Sequence, residues 1–293
     1  MAAPDADVEI DASLVKALLE DQHPDLAGRP LVEVAPGWDN VIYRLGDDLT
    51  VRLPRRAMSA ELVLHEQRWL PELAAGLPLP IPAPLRRGVA GRGYPWAWSI
   101  GPWFPGKPIE HRPPRDWREV ATRLGEFLAA LHKLAPPGAP ANPYRGTPLR
   151  DRTARLEVGL EALGTTIERD LVLERWAAIV EAPAWSGPPL WLHGDLHSLN
   201  LLVNHGRLSA VIDFGDMTAG DPATDISAAW IVLPASVRHA FRAAAGGQSP
   251  VDDDTWRRAQ GWALALGIAY MAGDDRIAGI GRRAVDAVLG DDD

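Results

Sequence analysis

The sequence predicts an α+β protein of two lobes: an N-terminal five-stranded antiparallel sheet with one main helix, then a mostly helical lobe interrupted by a single hairpin. Three observations carry this expectation. At 293 residues the chain exceeds the usual size of one domain. Its first 100 residues hold short alternating apolar runs separated by turn signals, and beyond Trp117 the apolar spacing becomes helical except over 199–213. The Pro- and Gly-dense GPWFPGKP then divides the chain into an N-terminal lobe over 1–100, a linker over 101–108 and a C-terminal lobe over 109–293.

The elements follow in order. An opening helix has Asp11 or Ser13 as its cap, an apolar stripe of Leu14, Val15, Leu18 and Leu19, and Pro24 as its stop. LVEVA (31–35), VIYRL (41–45) and LTVRL (49–53), parted by PGWDN and GDD, read as a meander of three strands. A helix spans about Ser59 to Leu73, and the alternating prolines of LPLPIPAPL (77–85) favour an extended edge or polyproline path. Runs at Leu85–Val89 and Tyr94–Ile100, around the turn AGRG, complete the sheet. Helical patterns then occupy Trp117–Leu134, Leu149–Leu163, Ile167–Ile179 and several stretches between Ala223 and Leu289.

Composition narrows the function. With 46% hydrophobic and 24% charged residues the chain can bury a large core, and no segment is apolar over the roughly 20 residues a membrane span needs. The acidic start lacks a secretory signal, and Cys is absent, so the expectation is a soluble cytoplasmic protein whose metals can be held only by His, Asp, Glu or Asn. A net charge of −9 argues against nucleic acid and acidic membranes as partners, and no protein partner is indicated. Residues 190–293 hold 14 acidic against 8 basic side chains, a bias toward cationic small molecules that the terminal DDD inflates.

WLHGDLHSLNLLVNHGRLSAVIDFGD (191–216) sets two histidines ahead of the turn, three aspartates and Asn200 in an apolar segment. NLLV (200–203) and LSAVIDF (208–214) flank NHGR, a four-residue turn centred on His205 and Gly206, so Asn200 falls opposite Val211 and near Asp213, with Asp195 in the loop before. Asn200 and Asp213 offer the oxygen ligands that Mg²⁺ prefers. Asp195, five residues before Asn200, has the offset of a phosphotransferase loop, D-x-x-x-x-N, whose Asp orients the attacking hydroxyl and accepts its proton. The same acids could serve only as turn residues. A sharper rival reads His193, Asp195 and His197 as a metal triad on one strand face, which leaves Asn200 and Asp213 unused.

H-G-D-x-x-x-x-N (His193–Asn200) together with I-D-F-G-D (Ile212–Asp216) resembles the aminoglycoside phosphotransferase family, antibiotic and small-molecule kinases with the protein-kinase-like fold. The resemblance covers nearly the whole chain and implies ATP or GTP as donor, Mg²⁺, and a small hydroxyl-bearing acceptor. It makes Asp195 the catalytic residue and Asn200 and Asp213 the metal ligands. His193 then positions the loop by hydrogen bonding, while Asp225 of GDPATD, or Asp221 as a helix cap, supports it from behind. His197 is expected to face solvent or anchor the loop.

A nucleotide kinase also needs a cation near the phosphates, an acid to hold it and a covering loop. Leu49, Val51 and Leu53 share one strand face, leaving Arg52 on the other, and helical spacing sets Glu66 within the stripe of Leu62, Trp69, Leu70 and Leu73, with Glu61 on the polar face. A carboxylate there needs a partner, so Arg52 and Glu66 are the expected pair. The family commonly carries Lys at this strand position; Arg52 departs from it, yet its planar fork suits phosphate oxygens. In PGWDN, Gly37 is the flexible point and Asn40 a phosphate donor. Kinase-like folds hold adenine through main-chain groups, here the Pro102 carbonyl and the Phe104 amide. The expected acceptor is aminoglycoside-like; alternatives are a macrolide, a sugar or another hydroxylated metabolite, or a nucleotide-binding module without catalysis. Trp230, Trp256, Trp262 and Tyr270 read as core, and Asp274 and Asp275 as either a solvated turn or charge offered to an ammonium group.

Overall fold

The computed structural model describes residues 5–34, 37–273 and 275–291. Ala35, Pro36 and Asp274, which entered the expectations above, lie outside the described residues. Helix α1, Ala12–Gln22, is capped by Asp11, whose Oδ1 accepts the Leu14 amide at 2.7 Å, and it buries Val15, Leu18 and Leu19. These pack on a five-stranded antiparallel sheet of order β1-β2-β3-β5-β4: β1 Leu31–Val34, β2 Asn40–Leu45, β3 Leu49–Pro54, β4 Arg86–Gly88 and β5 Trp98–Pro102. Alternation along β2 buries Val41, Tyr43 and Leu45.

The expected strand over 94–100 starts only at Trp98. Pro95 has no N–H to donate to a ladder, so Tyr94 instead bridges back to Gly91 and sends its hydroxyl to the Pro54 carbonyl at 2.9 Å. Helix α2, Ala57–Ala74, carries Glu66 and Trp69 on its buried side. The segment 101–108 is more ordered than a free connector, since it contains the end of β5 and all of β6, Lys107–Pro108, which pairs with β8.

The remaining helices are α3 Trp117–Leu131, α4 Thr153–Leu163, α5 Arg169–Val180, the short α6 Ala223–Ile226 and α7 Ala228–Ile231, α8 Ala235–Ala245, α9 Asp253–Ala272 and α10 Asp275–Leu289. Helix α3 stops three residues before Leu134 because the chain there turns to β-type pairing: Leu134 bridges Leu190, and Lys133 O accepts the Trp191 amide at 2.9 Å. Leu149 falls in a 3-10 turn, Leu149–Arg152, that leads into α4. Helix α9 is buried almost all round and forms the axis of the larger core, which also takes in Trp69, Leu70, Leu79 and Ile81 from before the connector. Among the described residues no helix is long and apolar enough to cross a membrane.

Two small sheets complete the helical part. β7, Leu190–Leu192, pairs with β10, Thr218–Gly220, and β8, Leu201–Asn204, with β9, Arg207–Val211. The hairpin differs from the expected one in two ways. Its turn is two residues, His205 and Gly206, both at positive φ (51° and 83°), which suits the right-handed twist of a tight hairpin. A β-bulge then shifts the register between Leu202 and Val203, so Leu201, not Asn200, faces Val211. Asn200 O accepts the Ile212 amide at 2.9 Å instead, one residue nearer Asp213 than simple folding of the hairpin gives.

At the start of α6, Asp221 accepts the Ala223 amide at 3.0 Å and pairs with Arg258 Nε of α9 at 2.7 Å, both side chains 3% exposed. Removing one member of such a pair strands the other charge. Asp221→Ala is therefore expected to lower unfolding free energy by roughly 3–5 kcal/mol in urea titration. A loss below about 1 kcal/mol, the scale of an exposed pair, would mean that Arg258 finds other compensation.

Candidate functional site

The polar groups of the 191–216 segment are satisfied by one another and by one buried acid. Asp225, fully buried in α6, accepts the backbone amides of His193 and Gly194, each at 2.8 Å, and faces His132 Nε2 at 3.2 Å. His193 is also fully buried; its Nδ1 accepts the Asp195 amide at 3.2 Å, so its Nε2–H donates to Ile212 O at 3.0 Å. The imidazole thereby ties the Asp195 loop to the strand end before Asp213. Gly194 sits at φ 88°, and a Cβ there would stand 2.3 Å from Asp216 O, so the close approach of these two loops requires glycine.

Asp195, Asn200 and Asp213 converge at the mouth of the hairpin. Asn200 Nδ2 donates to Asp195 O at 2.9 Å and contacts His197 Nε2 at 3.3 Å, and the Asn200 amide closes the turn on His197 O. Asp213 adopts φ 66°, the left-handed region that side chains rarely enter and that Asp tolerates best with Asn.

Three groups surround the Asp195 carboxylate, and two of them, Tyr270 and Arg145, were not connected with it by sequence reasoning. Tyr270 of α9 donates its hydroxyl to Asp195 Oδ1 at 2.7 Å, Arg145 Nη2 lies 3.2 Å from the same oxygen, and His197 Nε2 is 3.3 Å from Oδ2. His197 is thus buried, not solvent-facing, because the carboxylate draws it inward. Tyr270 was read as core, and Arg145 lay in a loop with no motif; separations of 75 and 50 residues leave no periodicity to find. Burial alone would raise the Asp195 pKa, but His197, Arg145 and Tyr270 together hold it well below the usual carboxylate range. Burial lowers and Asp195 raises the His197 pKa, with a net rise, while burial and Asp195 push the Tyr270 phenol up. Arg145 also bridges to Asp216 Oδ2 at 3.1 Å, and Asn142 Nδ2 donates to Asp216 Oδ1 at 2.8 Å.

From the sheet side, Arg52 Nη1 meets Glu66 Oε2 at 3.1 Å with both side chains largely buried. Asp213 is near enough for its charge to act on the ionisation of both. Gly37 and Asn40 close one turn through Gly37 N–H to Asn40 O at 2.9 Å, and Asn40 Oδ1 is buried without a partner among the described residues. Pro102 closes β5 opposite Leu49, with Phe104 two residues beyond; neither hydrogen-bonds to the Asp195 cluster among the described residues. Asp221 is engaged by Arg258, leaving Asp225 as the acid that holds the loop.

The residues fit a hard cation. Asn200 directs its amide nitrogen to Asp195 O and His197, which leaves its Oδ1 and the Asp213 carboxylate as oxygen donors. The triad alternative fares worse: both His193 nitrogens are engaged, and no cluster of three or more His, Asp or Glu side chains able to hold a metal occurs among the described residues.

Residues 30–262 match APH, described as the phosphotransferase enzyme family. Among solved structures, the GDP complex of aminoglycoside 2'-phosphotransferase-IIIa is similar at TM-score 0.74 and 19% identity, covering 96% of this chain and 99% of that one. Macrolide 2'-phosphotransferase MphH from Brachybacterium faecium, an apoenzyme, reaches 0.65 at 23% identity, covering 97% and 99%. A streptomycin–ATP ternary complex of APH(2")-IIa reaches 0.59 at 18% identity, covering 97% of each. At these identities the likeness shows a shared fold.

The dependence of the loop on Asp225 can be measured. Asp225→Ala leaves two buried amides without acceptors, at about 1–3 kcal/mol each. Thermal and urea unfolding should register a loss of roughly 2–6 kcal/mol, and near-wild-type stability would show that the loop holds its form unaided.

Proposed function

The chain belongs to the phosphotransferase enzyme family, and from that premise we propose that it transfers the γ-phosphoryl group of ATP or GTP to a hydroxyl of a small molecule. The observation that carries this reading is the convergence of Asp195, Asn200 and Asp213 at one hairpin mouth, within electrostatic reach of the Arg52–Glu66 pair. Arg52, held by Glu66, steadies the donor phosphates. Asp195 orients the acceptor hydroxyl and takes its proton, the acceptor oxygen bonds to the γ-phosphorus, and the nucleoside diphosphate leaves with the bridging oxygen. Asn200 and Asp213 would hold Mg²⁺, which neutralises phosphate charge when bound. His193 and Asp225 keep the loop in register.

In this reading Gly37 and Asn40 serve as the phosphate-covering turn, and the Pro102 carbonyl and Phe104 amide are the main-chain groups offered to the base. Solved neighbours described as complexes with GDP and with ATP leave either donor open. Arg145, His197 and Tyr270 fix the Asp195 carboxylate in place before an acceptor arrives, in keeping with a loose transition state that leaves the protein little covalent work. The acceptor classes differ in what they demand: a polycationic aminoglycoside needs unpaired acids, a macrolide or sugar does not.

Incubating the protein with Mg²⁺, ATP or GTP, and pooled aminoglycosides, macrolides and sugars, then reading masses, tests the reaction. A phosphate-sized gain should fall by about 10²–10⁴-fold in Asp195→Asn with nucleotide affinity retained. A gain of equal rate in the variant would remove Asp195 from the chemistry. In Asp213→Ala, Mg²⁺-dependent nucleotide binding should be lost; unchanged binding would instead support a module that holds nucleotide elsewhere.

A further inference from the structure

Helix α10 ends at Leu289, and two residues later Asp291 turns its side chain back into the protein. Its Oδ2 accepts the Trp230 indole N–H at 2.5 Å and faces Arg238 Nη1 at 3.1 Å and Gln260 Nε2 at 3.5 Å. These three partners come from α7, α8 and α9 and are only 2%, 7% and 4% exposed, whereas the Asp291 side chain is 28% exposed. The donors are built in by packing, while the acid only reaches in. An indole and a guanidinium can donate but not accept, so this buried spot needs an acceptor, whichever molecule supplies it.

Asp291 meets that need incompletely. Burial lowers the Arg238 pKa by more than the Asp291 carboxylate raises it. The main chain at Asp291 is anchored separately, its O accepting Arg175 Nη2 at 2.7 Å, so the carboxylate can leave by rotation about its own side-chain bonds while the chain path stays. Arg238 cannot follow it, because its Nε donates to Ala229 O at 3.0 Å.

Arg238, Gln260 and Asp291 also line a cavity of about 550 Å³, a volume in the range of small-molecule sites. Trp256 gives it an aromatic wall, packed on Trp230 with ring centroids 4.6 Å apart and covered by the Arg242 guanidinium at 5.1 Å. Around it Arg238, Arg242 and Arg257 stand against Asp253, Asp254 and Asp291. When Asp291 swings into water, where its charge is screened, one positive charge is left over. A monoanion restores the balance, and a dianion oversteps it.

We propose that this is a binding site for a small organic monocarboxylate, whose carboxylate takes the Asp291 position on Trp230, Arg238 and Gln260 and whose apolar body lies in the cavity against Trp256. Asp291 is the tethered occupant that keeps the donors paired until such a ligand arrives. None of Asp195, Asn200 and Asp213 lines the cavity, so the site stands independently of the phosphotransferase reading.

Calorimetry of the full chain with benzoate, benzamide and inorganic phosphate tests this, on the unaltered protein and on Asp291→Ala. Benzoate should bind both, and the variant at least about tenfold tighter, because a competing side chain reduces apparent affinity by the fraction of time it fills the site. Benzamide, alike in shape but uncharged, should bind at least about tenfold more weakly than benzoate, since it forfeits the charge-assisted contact with Arg238. Phosphate should bind more weakly too. Thermal unfolding gives a second reading: Asp291→Ala should melt lower than the unaltered protein, because Trp230 and Arg238 lose this acceptor, and benzoate should recover most of the loss. Equal benzoate affinity in the two proteins would put the binding elsewhere, and binding confined to the variant would make Asp291 a permanent occupant. Either result overturns the proposal, as does a variant that binds no benzoate, or benzamide or phosphate binding that matches it.

Discussion

A single buried carboxylate organises the site. Asp225 has no exposed surface, and a carboxyl group removed from water must have its oxygens met by donors. The chain answers with two consecutive backbone amides, His193 and Gly194, and with His132 at the end of α3. Because both amides point at one group, the backbone before Asp195 has little freedom, and Gly194 is forced into its left-handed turn. The hairpin, the paired acids and the approach of Tyr270 are arranged around a loop whose path that carboxylate sets.

The elements with a local signal were legible in the sequence. Alternation announced the sheet, helical spacing placed Glu66 in the buried stripe of α2, and a five-residue offset joined Asp195 to Asn200. The pairing of Arg52 with Glu66 followed from the expense of a lone buried charge, and the two are in contact. What could not be read came from tertiary contacts without a period. Arg145 sits in an irregular loop and Tyr270 on an apolar helix, and only folding brings them to one oxygen of Asp195. For His197 the sequence left open whether it faces solvent or anchors the loop, and the second holds because a carboxylate two residues away turns back over it. The bulge beside Leu202 was invisible as well, because an extra residue in a strand leaves hydrophobic composition unchanged while moving every partner by one.

The connection between the two sheets sets how the molecule can bend. Strand β5 ends at Pro102, the Trp103 amide is tied to Asp48 O at 2.7 Å, and β6 joins β8 from Lys107 onward. Only Phe104, Pro105 and Gly106 lie between these anchors, roughly five soft dihedrals once the proline ring has locked one of its own. The far end of that short joint is fastened directly to the strand that follows Asn200, while Trp69, Leu70, Leu79 and Ile81 tie the N-terminal part to the larger core a second time. The sheet and the helical part are thus fastened at two places, the connector that ends on β8 and the Pro80 carbonyl that accepts the Val211 amide at 3.1 Å, and both fastenings fall on the same hairpin.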